Sequence, residues 1–126
     1  MIRSFVLFSF TLLATAIAFA EADGKWLEKV PSRDHAKTSP YVGQADAVAA
    51  GSRLFADHCS KCHGTNAEGR KKHPSLRTER VQSQASEGDI HWLLVNGNMR
   101  KGMPSWARLP DPQLWQIVSY LKTLKE

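Results

Sequence analysis

The chain has 126 residues, about one domain's worth with no room for two. Hydrophobic residues make up 42% and charged residues 23%, which excludes a disordered or fibrous protein, and 17 Lys and Arg against 12 Asp and Glu leave a net charge of +5. Two cysteines, Cys59 and Cys62, exclude a multi-disulfide scaffold and a four-cysteine zinc or iron–sulfur site within one chain.

The first twenty residues read as an address. Arg3 precedes an apolar run from Phe5 to Ala20, broken by Ser9, Thr11 and Thr15. That run falls short of the roughly 20 residues a spanning helix wants. It closes on Ala18-Phe19-Ala20, a small-x-small pattern, before Glu21-Ala22-Asp23. The order is that of a secretory signal, so the expectation is a signal peptide over 1–20, export to the periplasm and no membrane span after cleavage. No cysteine lies near the cleavage point, so a lipid anchor is not expected. Glu21–Glu126 remain, 106 residues at +4 once Arg3 is gone. A domain this small, in an oxidising compartment, needs a staple beyond its own core.

Residues 21–45 hold Pro31, Pro40 and Gly43 with no sustained helical period, and are expected to form an extended arm. Asp46 offers an N-cap, and Ala47, Gly51, Leu54 and Phe55 follow at helical spacing, predicting a helix to about His58. Residues 64–85, with Gly64, Gly69 and Pro74 among polar groups, are expected to be mainly loop. Ser86-Glu87-Gly88-Asp89 has the form of a capping box, opening a short helix that Asn96-Gly97 closes. A turn-rich loop spans 98–110. Asp111-Pro112 then offers an N-cap and a first-turn proline, ahead of Leu114, Ile117, Val118, Leu121 and Leu124 on one helical face. No segment alternates with period two. The expected class is all-α, a small helical domain over 46–126.

Cys59-Ser60-Lys61-Cys62-His63 is C-x-x-C-H, the attachment pattern of a c-type haem. Two thiols three positions apart reach the two vinyl groups on one porphyrin edge, and the adjacent imidazole lies beneath the iron as proximal ligand. A covalent haem also supplies the missing staple. A C-x-x-C redox pair would expect strands around it. A zinc site would need two more ligands, for which His58, His73 and His91 are the candidates.

Gly51-Ser52-Arg53-Leu54-Phe55 before the motif, His63-Gly64 at its end, Asn96-Gly97 ahead of Gly102-Met103-Pro104-Ser105-Trp106, and the final Leu114–Leu121 helix together resemble a single-haem, class I cytochrome c. The type is that of the haem domains accompanying bacterial oxidases and quinoprotein dehydrogenases. The resemblance covers roughly 46–126. It implies a small helical domain wrapped around one covalent haem c, with Met103, directly before Pro104, as the distal ligand. Met99 is the alternative thioether, and His73 or His91 would make a bis-histidine haem of lower potential. It further implies that the Pro74 carbonyl accepts the free N–H of His63. The helix face of Gly51 and Phe55 would cross that of Ile117, Tyr120 and Leu121. Arg70, Lys71, Lys72, Arg77, Trp92 and Trp106 are candidates for the haem propionates.

A six-coordinate haem leaves no open position, so the expected function is one-electron transfer rather than enzymatic catalysis. Donor and acceptor would be redox partner proteins, for example a quinoprotein dehydrogenase and a respiratory acceptor. Arg70-Lys71-Lys72 and Arg100-Lys101 would form a basic rim that steers an acidic partner. Two alternatives stay open: a subunit of a dehydrogenase or oxidase complex, and a peroxidase-like or gas-binding haem protein. Nucleic-acid binding is not expected, and a monomer is.

Overall fold

The computed structural model describes residues 24–125, so the expected signal peptide, 1–20, lies outside the described residues. Five α-helices follow in order: α1 Ser32–His35, α2 Ala45–His58, α3 Ser60–His63, α4 Glu87–Asn96 and α5 Asp111–Leu121. Turns of 3-10 helix lie at Leu27–Lys29 and Met99–Lys101, and a π-helical turn at Arg80–Gln84. Among the described residues there is no strand, only the isolated bridges Arg70–His73 and Asn98–Met103. The domain is all-α.

The frame is α2 crossing α5, with α4 packed on α5. Phe55 of α2 and Leu114, Ile117 and Val118 of α5 are fully buried, and Ile90 and Leu94 of α4 close the core. The crossing depends on Gly51. A Cβ there would collide with the Gln116 carbonyl oxygen, so glycine allows backbone contact despite its cost of about 1 kcal/mol in a helix. One turn later the Phe55 and Tyr120 rings meet at 5.5 Å between centroids.

Local signals set most helix ends. Ser86 caps α4, its hydroxyl accepting from Asp89 N at 3.1 Å while the Asp89 carboxylate accepts from Ser86 N at 2.8 Å, a closed capping box. Gly97, at φ 69°, ends the helix. Two cap expectations are corrected. Helix α2 starts at Ala45 after Gln44, which makes no side-chain cap bond, and Asp46 stands inside the first turn, where the helix dipole favours a carboxylate just as well. Asp111 is likewise the first residue of α5, because its carboxylate is taken by His91 Nε2 at 2.7 Å. Helix α5 also stops at Leu121, although Leu124 remains buried.

Where an extended arm is expected, residues 24–44 carry two short helical turns and lie against the domain. The Asp89 carboxylate accepts from His35 Nδ1 at 2.9 Å, and Ser86 Oγ donates to the His35 carbonyl at 2.7 Å. Ser39 and Ser119 share a buried hydroxyl–hydroxyl bond of 2.7 Å. Gly88 admits the Asp34 carbonyl, which a Cβ would block. The Lys37 ammonium, 2.7 Å from Asp34, holds that carboxyl below the usual range.

Lys122 supplies the last tie. Its ammonium donates to the carbonyls of Val81, Gln82 and Ala85 at 3.0, 2.7 and 2.8 Å. These are groups that the π-helical turn at 80–84 leaves in need of donors. Gln82 Nε2 bridges the carbonyls of Leu76 and Leu121 at 2.8 and 2.9 Å. The 76–85 segment, read from sequence as loop, is thereby fixed to the end of α5.

Candidate haem site

Helix α2 delivers the motif. At Cys59 the backbone breaks from it (φ −116°), and α3 adds one further turn ending at Gly64, φ 86°. Within that turn the Cys59 carbonyl accepts from the backbone N–H groups of Cys62 and His63 at 3.1 and 2.9 Å. Both cysteines are free thiols, Cys59 half-buried against the core and Cys62 exposed. Burial, with Cys62 beside it, pushes the Cys59 pKa up to about 12.

His63 is oriented by Pro74. Its Nδ1 lies 2.9 Å from the Pro74 carbonyl oxygen. A carbonyl only accepts, so Nδ1 carries the proton and the lone pair of the neutral ring sits on Nε2. Burial lowers the His63 pKa, against the Pro74 bond that raises it, with His73 lowering it further. The neutral, metal-binding form is the one favoured. The loop between the two residues is folded back tightly. Gly69 N donates to the His63 carbonyl at 2.6 Å, Leu76 N donates to the Ala67 carbonyl at 2.9 Å, and Gly69 sits against Ser75, His73 and Pro74 at φ 88°.

The two methionines of the 98–103 turn stand apart. Met99 is 72% exposed at the tip. Met103 is half-buried and packs against the core, its backbone paired with Asn98 through N–H···O bonds of 2.8 and 3.1 Å. Gly102 closes the turn in the left-handed region, φ 82°. Gly97 provides the seat. A Cβ there would stand 2.6 Å from Ser105 N and 2.9 Å from the Met103 carbonyl oxygen. Ser105 Oγ donates to the Val95 carbonyl at 2.5 Å and Trp106 N to the Leu94 carbonyl at 2.8 Å. The Met103 segment is thus laid on the end of α4. The sequence offers Gly97 as a helix stop and a family-pattern residue and Gly69 as a loop former, without the close contacts that either makes, and it does not single out Asn98. Their signal, glycine or asparagine beside a motif residue, becomes specific only once the two chain segments are seen to cross.

The remaining candidates separate by their partners. His91 is buried, bonded to Asp111 and stacked on Trp115 at 4.0 Å. The His73 and His63 rings meet edge-on at 6.4 Å. Arg77 spends Nε on the Asn66 carbonyl at 2.6 Å and Nη1 on the Lys125 carbonyl at 2.7 Å, so it braces the loop. Trp92 is half-buried. Trp106, also half-buried, faces His58 at 5.3 Å, with Arg108 lying over its ring at 4.4 Å. Arg70, Lys71, Lys72, Arg100 and Lys101 are exposed.

This donor set fits a haem c. Two unpaired thiols and an imidazole whose lone pair is turned away from its backbone acceptor lie within the five residues of one turn, Cys59 at its start and Cys62 and His63 in α3. A half-buried apolar set that includes Cys59, Leu76, Val81, Met103, Trp106 and Leu109 packs on the core.

Comparison with known proteins agrees with that chemistry. The model of the family described as cytochrome c oxidase, cbb3-type, subunit III matches residues 46–121. The chain belongs to the cytochrome c family. This cytochrome c is 31% identical over 107 residues to cytochrome c550 of Pseudomonas aeruginosa, covering 79% of the present chain and 68% of that protein. It is 31% identical over 98 residues to quinohemoprotein alcohol dehydrogenase ADH-IIG of Pseudomonas putida, covering 77% of the chain but 13% of the enzyme. Over 79 residues it is also 31% identical to the cbb3-type oxidase subunit CcoP of Rubrivivax gelatinosus, 62% of the chain and 26% of the subunit. Among solved structures, cytochrome CL of the marine methylotroph Methylophaga aminisulfidivorans superposes with a TM-score of 0.59 at 27% identity, covering 68% of this cytochrome and 58% of that chain. Cytochrome c domains carry electrons through haem, and no described helix here is long and apolar enough to cross a membrane.

Proposed function

We propose that this cytochrome c is an exported single-haem carrier, holding haem c covalently through Cys59 and Cys62 and ligating iron with His63 and Met103. The observation that carries the reading is the His63–Pro74 hydrogen bond of 2.9 Å, which leaves Nε2 as the free donor beside two unpaired thiols. Bound haem supplies a one-electron ferric/ferrous couple. His63 would hold its iron through Nε2 of a neutral ring made more basic by the Pro74 acceptor. Met103, seated on Gly97 and paired with Asn98, offers a soft thioether that favours the reduced state and raises the potential. With His63 and Met103 both holding the iron, no place would remain for a substrate, and the chain would act as a relay rather than an enzyme.

Its partners are redox proteins, with a dehydrogenase as donor and a respiratory oxidase as acceptor in keeping with the relatives. Exposed Arg70, Lys71, Lys72, Arg100 and Lys101 give the loops that flank the site a positive rim, and the exposed Met99 adds an apolar contact within it. Such a rim steers an acidic partner at a rate that falls with ionic strength. A second reading rests on relatives in which a matching stretch forms 26% or 13% of the polypeptide. In that reading the chain is a dedicated subunit of a larger complex. A stable assembly that survives high salt would favour it over a diffusing carrier.

Expression with cytochrome c maturation machinery tests the main reading. It predicts one haem per chain, retained through denaturing electrophoresis and lost when Cys59 and Cys62 are both changed to alanine. More than one haem, or a haem extracted by acidified solvent, contradicts it.

A further inference from the structure

Two chain segments that carry the proposed iron ligands touch through a pair of rings. His58 closes α2 directly before Cys59, and Trp106 follows Met103 by three residues. The rings are tilted by 53° with centroids 5.3 Å apart, inside the range where aromatic pairs attract beyond their burial. Trp106 is fixed from other directions too. Its backbone N–H donates to the Leu94 carbonyl at 2.8 Å, and the Arg108 guanidinium lies 4.4 Å from its ring centroid. The Met103 turn is also held from the α4 side, through Gly97 and the Ser105–Val95 bond. The His58–Trp106 contact therefore joins this turn directly to the end of α2 that carries the motif.

We propose that His58 and Trp106 form a clasp between the Cys59–His63 turn and the Met103 segment, acting as positioning residues that keep the methionine side of the haem site closed to external ligands. The clasp rests on the haem reading above and adds to it. Neither ring needs to touch iron. Each lowers the population of conformers in which the 103–106 segment swings away. A thioether is a weak enough ligand for that opening to govern how fast a small anion reaches the metal.

The test uses the ferric holoprotein and cyanide, with binding rates measured for wild type, His58→Ala, Trp106→Ala, the double variant and Trp106→Phe. The clasp predicts that each alanine variant binds cyanide roughly two- to tenfold faster, the range set by one aromatic pair. It predicts a double variant no faster than the faster single, because one shared contact is lost in each, and Trp106→Phe close to wild type. Wild-type rates in both single variants overturn it. So does a double variant whose acceleration is the product of the two singles. The far-red charge-transfer band of thioether-ligated ferric haem is the folding control. If Trp106→Ala fails to load haem, His58→Ala and Trp106→Phe decide the question alone. A wild type without that band overturns the methionine assignment, and the clasp with it. A wild type with the band and unaffected variants overturns the clasp only.

Discussion

The Pro74 carbonyl accepts a hydrogen bond from His63 Nδ1 at 2.9 Å, across eleven residues that fold back on themselves. That bond selects the tautomer, aims Nε2 and makes the ring a stronger donor. It depends on a glycine, because Gly69 sits at φ 88° with Ser75 N, the His73 carbonyl and Pro74 C all within 2.9 Å of where a Cβ would be.

Gly69→Ala is therefore expected to push Pro74 away from His63. Stability should fall by about 1–3 kcal/mol, from left-handed strain and crowding together. The reduction potential should rise, since a less basic imidazole stabilises ferric iron less. Guanidinium denaturation and a potentiometric titration of the holoprotein read both. An unchanged potential would show that Pro74 does not tune the ring.

At the helix crossing, Gly51→Ala sets two effects against each other. Alanine gains about 1 kcal/mol of helix propensity, but its Cβ would occupy the place of the Gln116 carbonyl oxygen. Overpacking between two backbones costs about 1–3 kcal/mol or more, so the variant should be the less stable. A midpoint at or above wild type would mean the crossing has slack.

Much of this was legible beforehand, for reasons that differ by residue. The capping box at Ser86 and Asp89 and the stop at Gly97 are local chemistry, complete within one turn. The Gly51 face and the Ile117, Tyr120 and Leu121 face are periodic, so their pairing followed from the family pattern. What stayed hidden depends on partners far along the chain. Asp111 reads as a cap until His91 is found to claim it, and Asp46 serves the helix dipole whether or not it caps. The arm shows no period because its order comes from Asp89, Glu87 and Ser119, each about fifty or more residues away. Of the site, the C-x-x-C-H turn was plain. Met103 and Met99 were separable only by family position, and the contrast between a half-buried side chain and one 72% exposed is a property of the folded turn.

The Lys122 tie makes a prediction independent of haem chemistry. Lys122→Met keeps the aliphatic stem but leaves the carbonyls of Val81, Gln82 and Ala85 without their donor. A loss of about 1–3 kcal/mol is expected, with the oxidised and reduced spectra unchanged. A stability equal to wild type would mean that water replaces the ammonium at no cost.

The most direct test of the account is the ferric optical spectrum of the matured holoprotein beside those of Met103→Ala and Met99→Ala. The weak far-red band of thioether ligation should be present in wild type and in Met99→Ala, and absent in Met103→Ala. The last variant alone should become high-spin and open to cyanide. A band that survives Met103→Ala, or a wild type already high-spin and altered by cyanide at once, would contradict the assignment of Met103 and the electron-carrier function built on it.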